Sequence, residues 1–278
     1  MTGGGNANGA SPSSVHQAYP LSALLRTRLR QPQFYWFLGH FLALYHFVCL
    51  HLSFWSWNNQ LYHYEMCLLY VSVTYTVVLY QFYKSGQLRF VSLRQFFRIL
   101  KTLDNLQYFV LVAFFLILAI TQMVMISGVL YPLMVFSVFH FLNYFKENLL
   151  PFLPINSIFK NLVNNNFTNF INNYSNFFFQ MAQFFEIITC LKLTLIKLPL
   201  LLVKFPVLMV TKNDLYTILA SIFYLYFFKL RYLQSKSMQL LLTQLVMKAD
   251  SNIPLNYKSI WLKYKNLIKV IFENLPVA

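Results

Sequence analysis

The chain has 278 residues, of which 58% are hydrophobic, 19% aromatic and only 10% charged, whereas ordinary soluble domains carry about 25% charged residues. This composition excludes a typical soluble enzyme or binding domain and makes lipid the expected solvent. Twenty-two Lys and Arg against seven Asp and Glu give a net charge of +15; because the bases fall between apolar runs, anionic lipid head groups are the expected counterpart and no direct nucleic-acid contact is expected.

Residues 1–24 read as a disordered tail, because "MTGGGNANGASPSSVHQAYP" is rich in Gly, Asn and Ser and lacks the apolar core of a secretory signal. The first membrane span is then expected to act as the targeting signal. The membrane domain is expected over 25–230 and a cytosolic amphipathic helical region over 231–278.

A helix needs about 20 mostly apolar residues to cross the hydrocarbon. Residues 34–55 and 61–83 qualify and are separated by a short link, so they predict a transmembrane hairpin. A second pair, 106–126 and 129–145, is joined through Ser127-Gly128 and predicts another. Arg26, Arg28 and Arg30 precede the first span, five bases from Lys84 to Lys101 lie between the hairpins, and Lys146 and Lys160 follow the second. The hairpin tips at 56–60 and 127–130 carry no charge. Basic flanks stay in the cytosol, so both termini are expected there, with small lumenal tips.

From 156 to 176 the chain is Asn-rich, but Val163, Phe167, Phe170, Tyr174 and Phe177 keep helical spacing and predict an interfacial helix. It holds two sequons, Asn166-Phe-Thr and Asn173-Tyr-Ser, whose occupancy would report the side of the membrane they face. Residues 177–211 are apolar but interrupted by Glu186, Lys192, Lys197, Lys204, Pro199 and Pro206. A lysine at mid-bilayer costs at least about 2.5 kcal/mol, so a pair of shallow or re-entrant helices is expected rather than a straight span. A shorter apolar stretch, 215–228, followed by Lys229 and Arg231, predicts a shallow or marginal span.

Three segments separate charge from apolar surface. In 88–103, Phe90, Leu93, Phe96, Phe97, Leu100 and Leu103 share one side, and Arg94, Arg98 and Lys101 share the other. In 236–248, Met238, Leu241, Leu242 and Leu245 form a weaker stripe. The sharpest case is 255–275. At 100° per residue, Tyr257, Ile260, Trp261, Tyr264, Leu267, Ile268, Ile271, Phe272 and Leu275 fill one arc, bordered by Lys258, Lys265 and Lys269 on one side and by Lys263 on the other. Pro254 suits a first helical position and Pro276 an end. Lysines flanking a face with Trp and Tyr match the head-group zone, each base adding about 1 kcal/mol near an anionic surface. The same helix could pack on its own chain or enter a partner's groove, and the sequence leaves these three acceptors, and the oligomeric state, open.

Catalytic chemistry is not legible. Cys49, Cys67 and Cys190 are scattered within apolar segments and read as packing residues. His40, His46 and His51 do not share one helix face, so hydrogen bonds to neighbouring helices are expected rather than a metal site. His140, Asn143 and Glu147 share a face, and Glu65 lies within the second span; either could serve a polar site, the weaker reading. With no phosphate loop or hydrolase motif, neither an enzyme nor a cofactor is expected.

The segments "LRFVSLRQFFRILKTLDNLQYFVLVAFFL", "YPLMVFSVFHFLNYFKENLLPFLP", "FFEIITCLK" and "FYLYFFKLRYLQSKSMQLLLTQL" resemble, in that order, the transmembrane protein 33 family, across residues 25–275. The most specific stretches are "FSVFH" at 136–140 and "KLRY" at 229–232. The resemblance implies a non-enzymatic organiser of tubular endoplasmic reticulum and nuclear envelope. It also implies links to reticulon-type curvature proteins and, in fungal members, to the distribution or assembly of nuclear pores. The expectation is thus an all-α integral membrane protein with two hairpins, shallow or re-entrant helices and cytosolic amphipathic helices. It would act by curvature or, as the alternative, as an adaptor for a nucleoporin or nuclear transport receptor; a channel or lipid scramblase around Glu65 and His140 ranks lowest.

Overall fold

The computed structural model describes residues 21–88, 92–204 and 210–274. The expected tail lies almost wholly outside them, as do Arg89, Phe90, Pro206 and the end of the terminal helix from residue 275; the side chains of Leu93 and Ile271 are likewise not described. Among the described residues the regular structure is helical throughout.

The helices are α1 (Leu21–Arg28), α2 (Pro32–Leu52), α3 (Trp57–Lys84), α4 (Leu93–Thr102), α5 (Asp104–Gln122), α6 (Leu130–Tyr144), α7 (Ser157–Leu191), α8 (Leu198–Lys204), α9 (Lys212–Gln234), α10 (Lys236–Asn252) and α11 (Lys258–Asn274). Among the described residues, four stretches are long and apolar enough to cross a membrane: α2, α3, α5 and the region 127–152 that contains α6. They match the four expected spans within a few residues. α9 lengthens the 215–228 stretch to 23 residues by including polar ends.

Local chemistry accounts for the boundaries. Pro32 opens α2, where a missing N–H costs nothing. Ser56 caps α3 by accepting from the Asn59 N–H, and Ser92 caps α4 through Gln95. At Thr211 and Asp214 a reciprocal capping box starts α9. α5 stops at 122, short of the expected 126, because Met123 turns into the left-handed region at φ 54° and its N–H closes on the carbonyls of Leu118 and Ala119.

α2 and α3 pack along each other across the short link at 53–56. Gly39 permits their close approach: a Cβ there would stand 2.6 Å from Thr74 Cγ2 and 3.1 Å from the Tyr70 carbonyl. α5 and α6, though consecutive, take different neighbours, α5 lying on α3 and α9 and α6 on α2 and α7. Tyr64, Leu68, Phe115, Leu130 and Tyr224 are completely enclosed at the centre, and the Tyr64 hydroxyl donates to the Ile126 carbonyl, tying the α5–α6 link to α3.

One expectation is corrected. The Asn-rich stretch and the start of the broken region are not separate helices: α7 runs unbroken for 35 residues. It continues through a π-helical segment, Lys192–Lys197, into α8. The Asn-rich half is held by the stripe the sequence showed, with Phe167 against Phe145 and Phe170 stacked on Phe139. No Gly or Pro interrupts 157–191, Pro199 falls at the start of α8 just beyond the widened turn, and Glu186 has partners that remove the reason for a break.

Candidate membrane interface and the buried charges beneath it

The terminal helix docks by one flank. α11 follows a single 3₁₀ turn at Leu255–Tyr257, so Pro254 precedes the helix instead of opening it. Lys265 Nζ lies 2.8 Å from Asp250 Oδ2, and the Trp261 indole N–H donates to the same carboxylate. These hydrogen bonds, that of Lys265 first, hold the Asp250 carboxyl below the usual carboxylate range. Tyr264 donates to the Leu195 carbonyl at 3.2 Å, and Phe272 meets Tyr232 edge-on at 5.4 Å. Lys229 caps the far end, its ammonium 2.7 Å from the Phe272 carbonyl and 3.1 Å from that of Glu273, where the helix dipole favours a cation.

The expected binding residues are therefore divided by the fold. Trp261, Tyr264, Lys265 and Ile268 are half-buried toward the bundle. Tyr257, Ile260 and Leu267 stay 62%, 64% and 55% exposed, with Lys258, Lys263 and Lys269 exposed around them. Lys269 also lies 3.8 Å from Glu273 one turn on.

α4 is treated the same way. Leu100 is buried with Leu106 and Leu230, and Phe96, Ile99 and Leu103 pack around them. Phe97 remains exposed beside Arg94 and Arg98, while Lys101 is half-buried. Gln234 at the end of α9 donates to the Lys101 carbonyl and joins α4 to the bundle.

Between α5, α7 and α9 lies a charge cluster that sequence reasoning missed. Arg231, read as a flanking base, is buried, with Nη1 2.8 Å from Asp104 Oδ2 and Nε 3.7 Å from Glu186 Oε2. The Tyr108 hydroxyl donates to the other Glu186 oxygen, and the guanidinium carbon stands 4.9 Å from the centre of the Tyr108 ring. The available signal was the coincidence of a lone acid at 186 and a base at 231, each adjoining apolar sequence with no local partner.

The histidines behave as their spacing implied. His40 Nδ1 lies 2.9 Å from Ser137 Oγ, His46 Nδ1 lies 2.9 Å from His63 Nδ1, and His51 Nε2 lies 3.1 Å from the Tyr131 hydroxyl. Each bond reaches a neighbouring helix. His140 sits beside His40, ring centres 4.9 Å apart, whereas Glu147 is exposed on a π-helical turn at Phe145–Leu149 and does not join it.

The sequence matches the family model described as Transmembrane protein 33/Nucleoporin POM33 over residues 17–271. The chain belongs to the transmembrane protein 33 family. A relative within reach of direct comparison is the "Pore and endoplasmic reticulum protein of 33 kDa" of Saccharomyces cerevisiae, 47% identical over 268 residues, which cover 93% of this chain and 96% of that protein. No solved structure matches the chain. In this member of the transmembrane protein 33 family, the two most specific stretches coincide with interhelical polar and ring contacts. "FSVFH" supplies Ser137 and His140, and "KLRY" supplies Lys229 and Arg231.

Proposed function

We propose that the protein is a non-enzymatic organiser of the endoplasmic reticulum and nuclear envelope that contacts membrane lipids, anionic or curved, through its amphipathic helices. Family membership and the relative named for pore and endoplasmic reticulum support the location. In this reading α2–α3 and α5–α6 cross the bilayer as two pairs with both termini cytosolic, and α7 to α9 lie shallower.

The observation that carries the reading is the divided α11. One flank is spent on Asp250, Leu195 and Phe228, which sets the helix at a fixed place on the bundle. The other flank leaves Tyr257, Ile260 and Leu267 outward among Lys258, Lys263 and Lys269. Apolar groups edged by ammonium groups fit the boundary between acyl chains and phosphate. With Phe97, Arg94 and Arg98 on α4, the mass and charge would bias one leaflet, expanding it and favouring curvature. Reticulon-type proteins would be natural companions in such membranes.

Spin labels at residues 260 and 267 of the full chain in anionic proteoliposomes provide the test. The reading expects both to be accessible to lipid-soluble oxygen and shielded from an aqueous nickel chelate, and Ile260→Asp with Leu267→Asp to reduce tubulation. Water-exposed labels in curved anionic vesicles would remove the membrane role. The adaptor reading uses the same exposed flank: capture of a nuclear transport receptor or nucleoporin by the nanodisc-held protein, lost in the same double variant, would favour recruitment.

A further inference from the structure

Among α2, α3, α5, α6, α7 and α9 lies a cavity of ≈ 320 Å³, within the size range of small-molecule sites. Trp36, Tyr75 and Phe136 give it aromatic walls, and His40, Tyr108 and Arg231 supply polar atoms. A second hollow of ≈ 520 Å³, bordered by Lys101, Gln234 and Ser235, shares Asp104, Phe179 and Arg231 with it. The second hollow lies beside the α4–α5 junction and borders the cavity through these shared side chains.

His40 defines what the cavity can take. The Ser137 hydroxyl donates to the Leu133 carbonyl at 2.9 Å, leaving its lone pairs for His40 Nδ1 at 2.9 Å. This network assigns the proton of the neutral ring to Nδ1 and a bare lone pair to Nε2. Nε2 is buried and has no partner among the described residues, although His40 as a residue is only 6% exposed. An acceptor withdrawn from water in this way calls for a donor.

Charge decides the rest. Among the described residues, Arg231 is the only Lys or Arg side chain lining the cavity, and it already faces the carboxylates of Asp104 and Glu186. A phosphate entering here would meet no uncompensated positive charge and would have to shed its hydration, so a phospholipid head group is disfavoured. An uncharged ligand with one hydroxyl and an apolar body satisfies both conditions.

We propose that this cavity binds an uncharged hydroxyl lipid, whose hydroxyl donates to His40 Nε2 while its apolar body lies against Trp36, Tyr75 and Phe136. A sterol and a diacylglycerol both carry this chemistry, and separate probes distinguish them.

The full chain in phosphatidylcholine nanodiscs is exposed to photoreactive sterol, diacylglycerol and phosphatidylcholine probes, with unlabelled lipid as competitor, and the labelled peptides are mapped. Labelling by either hydroxyl probe is expected to exceed that by the phosphatidylcholine probe and to be competed away. The mapped sites are expected within 36–40, 71–78 or 133–140. His40→Phe should lower saturable labelling roughly fivefold, as the loss of one net hydrogen bond would, and Val78→Trp should lower it further by filling the space. Labelling confined to other helices, or no preference over phosphatidylcholine, overturns the proposal, and mapping on the unaltered protein decides it even if a variant does not fold. Unchanged labelling in a folded Val78→Trp protein overturns it equally.

Discussion

Arg231 on α9 and Glu186 on α7 stand 3.7 Å apart between Nε and Oε2, with side chains only 4% and 0% exposed. Neither charge could be buried alone, since an unpaired ion in an apolar interior carries a penalty of several kcal/mol. The Tyr108 hydroxyl and Asp104, whose side chain is partly exposed, complete the arrangement, so three helices are joined through these polar groups. The partners of Glu186 also explain how α7 passes through an acid without breaking.

Arg231→Met should therefore destabilise the protein by about 3–5 kcal/mol, because it strands Glu186. Glu186→Gln should cost less, since Arg231 keeps Asp104. Combining Arg231→Met with Glu186→Leu should recover much of the loss, as apolar replacement of a whole buried pair often does. Thermal unfolding in detergent measures all three, and a single Arg231→Met as stable as the parent would contradict the pairing.

Gly39→Ala is informative because two effects oppose. Helix propensity alone would stabilise α2 by about 0.5–1 kcal/mol. The new methyl, however, would lie 2.6 Å from Thr74 Cγ2 and near the Tyr70 carbonyl, an overpacking that costs about 1–3 kcal/mol. Net destabilisation is expected, with partial rescue by Thr74→Ser, which removes the crowded methyl. A stabilised Gly39→Ala would mean that α2 and α3 do not approach so closely.

The docking of α11 should depend on pH in one direction only. Asp250 has a folded pKa below its unfolded value, so its contribution is fully present above the ordinary carboxylate pKa, about 3.9. It disappears as pH falls through the lower, folded value. A distance probe between α10 and α11 should stay constant from about pH 5 to 8 and lengthen only in stronger acid, a window set by that carboxylate pKa. Asp250→Asn should lengthen it at neutral pH; a transition near pH 6 instead would point to a histidine.

Glycosylation reads the topology. Asn166 and Asn173 are both exposed on α7, so burial would not prevent modification if they faced the lumen. Neither is expected to carry sugar, nor is an acceptor added after residue 278, whereas acceptors engineered into an extended loop at 56–60 should be modified. Sugar at either native site would place α7 on the opposite side and reverse the proposed orientation.

Hydrophobic periodicity is a property of short windows, and it located α2, α3, α5, α6 and the amphipathic faces of α4 and α11 from the sequence alone, because lipid solvation and helical spacing act residue by residue. The same local reading ended one helix at 176, counted Glu186 among the interruptions of 177–211 and left Arg231 at a flank, since neither residue's partner lies within its own window. Tertiary packing alone decided that Glu186, Arg231, Asp104 and Tyr108 converge. It also decided that Lys265 and Trp261 turn to Asp250 while Ile260 and Leu267 face outward. An amphipathic stripe specifies that a helix will bury one side; which neighbour covers it, and how much remains free, depends on helices brought together from distant parts of the chain.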